Sequence, residues 1–134
     1  ALNITTVLCV GESKRNPDGE YLAVIKEQLR TGLADVTPSQ LTRVIIAYEP
    51  LWTIGGNKTL SPRDMHEVVI FIRKTVVEFC GEKGMRIKIL YGGSIDETNA
   101  AAMLHDGDVR GFLVGRASED GDKLMSLMNA LHNA

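Results

Sequence analysis

Residues 47–56 read Ala47-Tyr48-Glu49-Pro50-Leu51-Trp52-Thr53-Ile54-Gly55-Gly56, and the fold turns on how that stretch is understood. An apolar run, Val44 to Tyr48 (VIIAY), ends on a carboxylate followed at once by proline, and a glycine-bearing segment comes next. A continuous run rich in β-branched residues is the pattern of a strand buried on both faces. Pro50 fixes its own φ, restricts Glu49 before it and removes a backbone donor. A glutamate at a strand end is ordinarily solvated or ion-paired. Here a buried strand lies before it, a proline after it, and a segment able to fold over it lies behind. Those three features mark Glu49 as a candidate base, because a carboxylate partly withdrawn from water abstracts a proton from carbon more readily.

Outward from this stretch, short apolar runs alternate with longer amphipathic ones. Ile4 to Val10 (ITTVLCV) predicts a buried strand. Asp18 to Leu33 follows at helical spacing, with Tyr21, Leu22, Ile25, Gln28, Leu29 and Leu33 on one stripe. Ser61-Pro62-Arg63-Asp64 has the form of a helix entrance: a capping oxygen, a proline suited to the first turn, and an acid at the positive end of the helix dipole. Met65, Val68, Val69, Ile72, Val76 and Phe79 continue it, and Gly81 and Gly84 end it. Arg86 to Tyr91 predicts a third strand, Thr98 to Leu104 a short helix, and Gly111 to Gly115 (GFLVG) a fourth strand. Leu124, Leu127, Met128 and Leu131 mark a last helix.

The order is βα four times over, which argues for a parallel sheet. Right-handed crossovers place all four strand C-terminal ends on one side. That edge carries catalysis in a (β/α) barrel and ligand binding in a doubly wound sheet. No Gly-x-Gly-x-x-Gly follows the first strand, which weighs against a doubly wound nucleotide site. The polar signals all fall at this edge: Gly11-Glu12-Ser13, Glu49-Pro50, Tyr91-Gly92-Gly93-Ser94 and Gly115-Arg116-Ala117-Ser118. Singly, such glycines are turn residues. Together, the last two ends offer backbone N–H groups to a single anion, with no side chains to keep its oxygens away. Glu12 is read as structural, held by a salt bridge or backbone bonds. Lys58 is read as part of the covering segment, and His66, His105 and His132 as surface residues.

Composition bounds the rest. The 134 residues are 44% hydrophobic and 24% charged, with net charge −2. Such a balance gives no electrostatic case for nucleic acid or an anionic membrane. No apolar run reaches the roughly 20 residues that span a bilayer, and no signal segment opens the chain. Cys9 and Cys80 are read as two buried thiols in a reducing cytoplasm rather than a disulfide. No His or Cys pair has metal-ligand spacing.

The strings AYEPLWTIGG, LYGGSI, GFLVGRAS and LCVGE stand in the order and spacing of triosephosphate isomerase, and the chain resembles that family from about Val7 to Leu131. The resemblance implies an eight-stranded (β/α) barrel, of which residues 1–134 form the C-terminal half in four βα units. It implies interconversion of dihydroxyacetone phosphate and glyceraldehyde 3-phosphate through an enediolate, with no cofactor and no metal. The family's base aligns with Glu49. Its lid aligns with Pro50, Leu51, Trp52, Thr53, Ile54, Gly55, Gly56, Asn57 and Lys58, on to about Leu60. Phosphate ligands align with the Gly55 amide, with Ser94 and the Gly92-Gly93 turn, and with Gly115 and the position of Arg116. Two departures stand out: Gly56-Asn57 where the family usually has Thr-Gly, and Arg116 where it usually has a second glycine. The family's catalytic lysine and histidine, and the loop that makes most of its homodimer contact, fall in an N-terminal half this chain lacks. The chain opens on Ala1 rather than Met, consistent with a piece of a longer cytoplasmic homodimer. The competing readings are a related isomerase of a four-carbon phosphosugar, supported by Arg116 and the altered lid, and a non-catalytic half-barrel that associates with itself.

Overall fold

The computed structural model describes residues 3–55 and 58–134; the lid positions Gly56 and Asn57 lie outside the described residues. Three parallel strands form one sheet in the order β1 (Thr6–Val10), β2 (Val44–Tyr48), β3 (Lys88–Tyr91). Thr6 pairs with Val44, Leu8 with Ile46 and Val10 with Tyr48, and on the other side of β2 Ile46 pairs with Ile89 and Tyr48 with Tyr91. Between and after the strands come α1 (Glu20–Gly32), α2 (Pro62–Cys80), α3 (Ala100–His105) and α4 (Gly121–His132). The α/β alternation with a parallel sheet is that of a partial (β/α) barrel. Among the described residues, no helix is long and apolar enough to cross a membrane.

Residue parity divides the sheet into two unlike faces, because successive strand side chains point to opposite sides. Val10, Ile46, Tyr48, Ile89 and Tyr91 enter the core with Ile25 and Leu29 of α1, with Met65, Val68, Val69, Ile72 and Val76 of α2, and with Met103 and Leu127. Burial of each such side chain stabilises the fold by about 1.5–3 kcal/mol. The other parity is more open. Val7, Cys9 and Lys88 are exposed there, Ile45 and Leu90 are half-buried, and Ala47 is closed off between its neighbours. In a closed barrel this second face would be the interior.

Helix α2 starts as its sequence dictates. The Ser61 hydroxyl accepts from the Asp64 N–H at 3.1 Å, Pro62 occupies the first turn, and Asp64 lies near the positive helix end. Gly81 ends the helix with φ 77°, a conformation that favours glycine. Helix α1 begins at Glu20 rather than Asp18, because Gly19 before it takes φ 77° and breaks the helical path.

Three expectations are corrected. The first strand begins at Thr6 and is largely exposed, with Val7 at 42%. Its other edge has no neighbour among the described residues, so an apolar sequence alone leaves it uncovered. Cys9 lies on that open face and is exposed, whereas Cys80 is buried as expected; neither is in a disulfide. The run GFLVG is not a full strand. Only Phe112 bridges Tyr91, through Tyr91 N–H to Gly111 at 3.0 Å and Leu113 N–H to Tyr91 at 2.9 Å. Gly111 takes φ 149°, and beyond this bridge the segment meets β3 through the Arg110 N–H, which donates to the Ile89 carbonyl at 2.8 Å; glycines at both ends of the run weaken it as a strand.

Candidate active site

The parallel ladder runs one residue past the strands. Glu49 N–H donates to the Val10 carbonyl at 2.8 Å, and Gly92 N–H to the Tyr48 carbonyl at 2.8 Å. Since Tyr48 faces the core, Glu49 falls on the opposite parity, the open face, where it is half-buried. Its side chain lies over Gly92. A Cβ on Gly92 would stand 2.5 Å from Glu49 Cγ, and one on Gly11 would overlap the Glu49 carbonyl. Both glycines are therefore required by close approach to one residue. Gly11 is held in turn from α1, where the Gln28 side chain accepts from its N–H at 2.8 Å and donates to its carbonyl at 3.0 Å. Gln28 sat in the apolar stripe of the sequence without an evident task; here it satisfies a strand-end backbone.

A cavity of about 720 Å³ opens at this edge. Glu49, Thr53, Ile54 and Gly55 line one side, Gly92, Gly93 and Ser94 the floor, and Leu113 to Ala117 the other side. The structure thus brings Glu49, Gly55, Ser94, Gly115 and Arg116 around one space. Arg116 is exposed and opens a 3₁₀ turn, Arg116–Glu119, whose preceding residue is Gly115. Ser94 is half-buried at the rim, and its carbonyl accepts from Asn99 Nδ2 at 3.3 Å. Asp96 closes that turn by accepting from the Thr98 hydroxyl and N–H. The hydroxyl bond, above all, lowers its carboxyl below the usual range.

Beside the cavity lies a buried polar cluster whose form the sequence left open. Glu12 is 1% exposed. It makes no salt bridge among the described residues; instead its carboxylate accepts from the Tyr48 hydroxyl at 2.9 and 3.0 Å and from Trp52 Nε1 at 2.8 Å. Its backbone carbonyl accepts from the Leu51 N–H at 3.0 Å. Burial, and then the Glu12 charge, push the Tyr48 hydroxyl far above the ordinary tyrosine value, so it stays a donor. This carboxylate docks the lid's first turn, Leu51–Thr53, onto the sheet. Leu51 and Ile54 are exposed, Trp52 is half-buried and Thr53 is enclosed; Lys58 is exposed beyond the turn.

Cys9 enters the site unannounced. It is one parity step from Val10 and shares the open face with Glu49. Local desolvation, then a hydrogen bond and charge from Glu49, raise its thiol above the ordinary value. Strand register could have found it, since Cys9 pairs with Ala47 and Ala47 lies two residues before Glu49. His66, His105 and His132 are exposed on helices away from the cavity lining, as expected.

A family profile described as triosephosphate isomerase matches residues 1–131. Curated relatives with that name include one from Endomicrobium trichonymphae, 40% identical over 129 residues, covering 96% of this chain and 52% of the relative. Another, from Roseiflexus sp. (strain RS-1), is 39% identical over 133 residues, covering 98% and 52%. A third, from Moorella thermoacetica, is 40% identical over 124 residues, covering 92% and 50%. The chain spans about half the length of these relatives. A parallel α/β half-sheet with its polar residues gathered at one edge, matched to one family along nearly all its length, belongs to the triosephosphate isomerase family.

Proposed function

We propose that this chain is the C-terminal half of a barrel that interconverts dihydroxyacetone phosphate and glyceraldehyde 3-phosphate. The observation that carries the reading is the position of Glu49: half-buried, on the inward parity, over the same cavity as the Gly92–Ser94 and Gly115–Arg116 turns. In this reading the Glu49 carboxylate takes a proton from the carbon beside the substrate carbonyl. The electron pair moves into the carbon–carbon bond and onto oxygen, giving an enediolate. Glu49 then returns the proton to the adjacent carbon, so no oxidant, reductant or co-substrate is consumed. The amide of Gly55, the Ser94 turn, Gly115 and the Arg116 position hold the phosphate. The lid from Pro50 to Leu60, with Gly56, Asn57 and Lys58, closes over the enediolate and excludes water.

The half of the barrel absent here supplies the lysine and histidine that polarise the carbonyl, together with the dimer loop. The complete protein is a cytoplasmic homodimer in this reading. The test compares the 134-residue chain with the full-length protein that contains it, using triose phosphates and four-carbon phosphosugars as substrates. Triose turnover only in the full-length protein is expected, and Glu49→Gln lowers its kcat about 10²–10⁴-fold. Near-normal turnover in Glu49→Gln would falsify the assignment of the base. Turnover near that of an intact enzyme by the isolated chain would remove the need for a missing half. Preference for the four-carbon sugar would favour the reading that rests on exposed Arg116 at the cavity wall.

A further inference from the structure

The lid's first turn contains a buried hydroxyl that the proposed reaction does not use. Thr53 is fully enclosed, although Leu51 and Ile54 around it are 51% and 52% exposed. Its hydroxyl donates to the Pro50 carbonyl at 2.8 Å, and its own N–H donates to the same oxygen at 2.9 Å. A residue without the hydroxyl would make only the second bond. On its other side, Thr53 Oγ1 shares the space over Gly93 with the Tyr91 hydroxyl. A Cβ on Gly93 would stand 2.8 Å from Thr53 Oγ1 and would overlap the Tyr91 hydroxyl oxygen. That tyrosine hydroxyl is buried and completes no full hydrogen bond among the described residues. Thr53 is therefore wedged between the residue that follows Glu49 and the turn that carries Ser94.

Backbone geometry says what the wedge fixes. Pro50 has φ −67° and ψ 100°. Its ring sets the first angle. The second has no covalent restraint; the Pro50–Leu51 peptide is held on one side by the Leu51 N–H bond to the Glu12 carbonyl at 3.0 Å and on the other by the two Thr53 bonds to the Pro50 carbonyl. Glu49 itself is restricted by the proline after it and tied to Val10 through its N–H. With Thr53 in place, the chain on both sides of Glu49 is anchored.

We propose that Thr53 is a positioning residue for Glu49: its hydroxyl locks the Pro50 carbonyl against the Tyr91–Gly93 turn and so holds the carboxylate above the phosphate-binding floor. The inference rests on the reading of Glu49 as the base. The experiment uses the full-length protein with Thr53→Val, which keeps the shape and removes the hydroxyl, and Thr53→Ser, which keeps the hydroxyl. Thr53→Ala replaces the valine variant if that does not fold. For valine, kcat is expected to fall about five- to tenfold, with KM moved less than about twofold; serine restores kcat. A second readout needs no activity. Amide hydrogen exchange at Thr53 and Ile54 in the unliganded protein is expected to quicken about fivefold in valine and not in serine.

An inactive parent protein would overturn the proposed function, and the exchange arm would then decide the Thr53 question alone. In an active parent, an unchanged kcat in the valine variant overturns the inference, with or without faster exchange. A loss that serine fails to restore also overturns it, because packing of the methyl group would then be the cause.

Discussion

Gly92 lacks a side chain because Glu49 occupies the space one would need. The same crowding makes Gly92 a sensitive site. In Gly92→Ala the new methyl group would meet Glu49 Cγ at 2.5 Å, and the flexible carboxylate would swing aside before the strand did. Displacement of a reacting group by about 1 Å costs about 10²-fold in rate. In the full-length protein, Gly92→Ala is expected to lose about 10²-fold in kcat with little change in melting temperature, checked by steady-state kinetics beside a thermal melt. The Glu12 cluster behaves differently. Tyr48→Phe leaves the Glu12 carboxylate with Trp52 as its remaining side-chain donor. Loss of a donor to a buried charged group costs about 1–3 kcal/mol or more. A urea titration should therefore show the midpoint falling, with the lid's docking weakened as well.

At the level of elements, α2 is the best specified and most consequential. Its 19 residues pack against both α1 and α3, and it carries five core side chains from Met65 to Val76. Its start depends on one side chain. Ser61→Ala removes the bond to the Asp64 N–H and is expected to cost about 1 kcal/mol, within a range of about 0.5–2. Equilibrium denaturation checks the value, and Ser61→Thr, which keeps a hydroxyl that accepts from the Asp64 N–H and donates to its carboxylate at 2.7 Å, should recover most of it. The Arg73–Asp108 ion pair ties α2 to the turn after α3, where Asp108 has φ 55°. Both groups are partly exposed, so this pair contributes little to stability. The run GFLVG shows the opposite case. Its sequence suits a strand, yet it makes one bridge, because a strand's ladder depends on a neighbour that the local sequence does not supply.

Across the molecule, pH dependence follows from the two buried tyrosines. Burial raises both Tyr48 and Tyr91; the Glu12 charge adds to the first, and Leu60 and Thr53 partly offset the second. Unfolded, each ionises near the ordinary value of 10.0; folded, each holds its proton to higher pH. Their contribution is therefore fully present below pH 10 and is lost as pH rises above it, where the unfolded chain binds fewer protons than the folded one. Denaturation midpoints across pH 8–12 should fall beyond about pH 10, and the fall should be shallower in Tyr48→Phe. A flat profile would mean that the tyrosine hydroxyls are not desolvated as described. The open face with Val7 and Cys9, and the edge of β1 that has no neighbour among the described residues, belong to this scale too. Such edges invite pairing with another chain; in the proposed reading, the other half of the barrel meets that need.

The order of the first three strands and of the four helices, the parallel sheet, the Ser61 entrance, the Gly81 stop and the placing of Glu49 at a strand end were all legible in the sequence. Each is set by residues within a few positions of one another, through periodicity, capping and proline geometry. Tertiary structure alone decided that Cys9 is exposed beside Glu49, that Glu12 is satisfied by Tyr48 and Trp52 rather than by a cation, that Gln28 clamps Gly11, and that Thr53 is sealed against Tyr91. Each of those depends on a partner 17 to 40 residues away in the chain or on what covers a strand's open side. No local pattern carries that information, because burial and hydrogen-bond pairing are fixed only when distant segments meet.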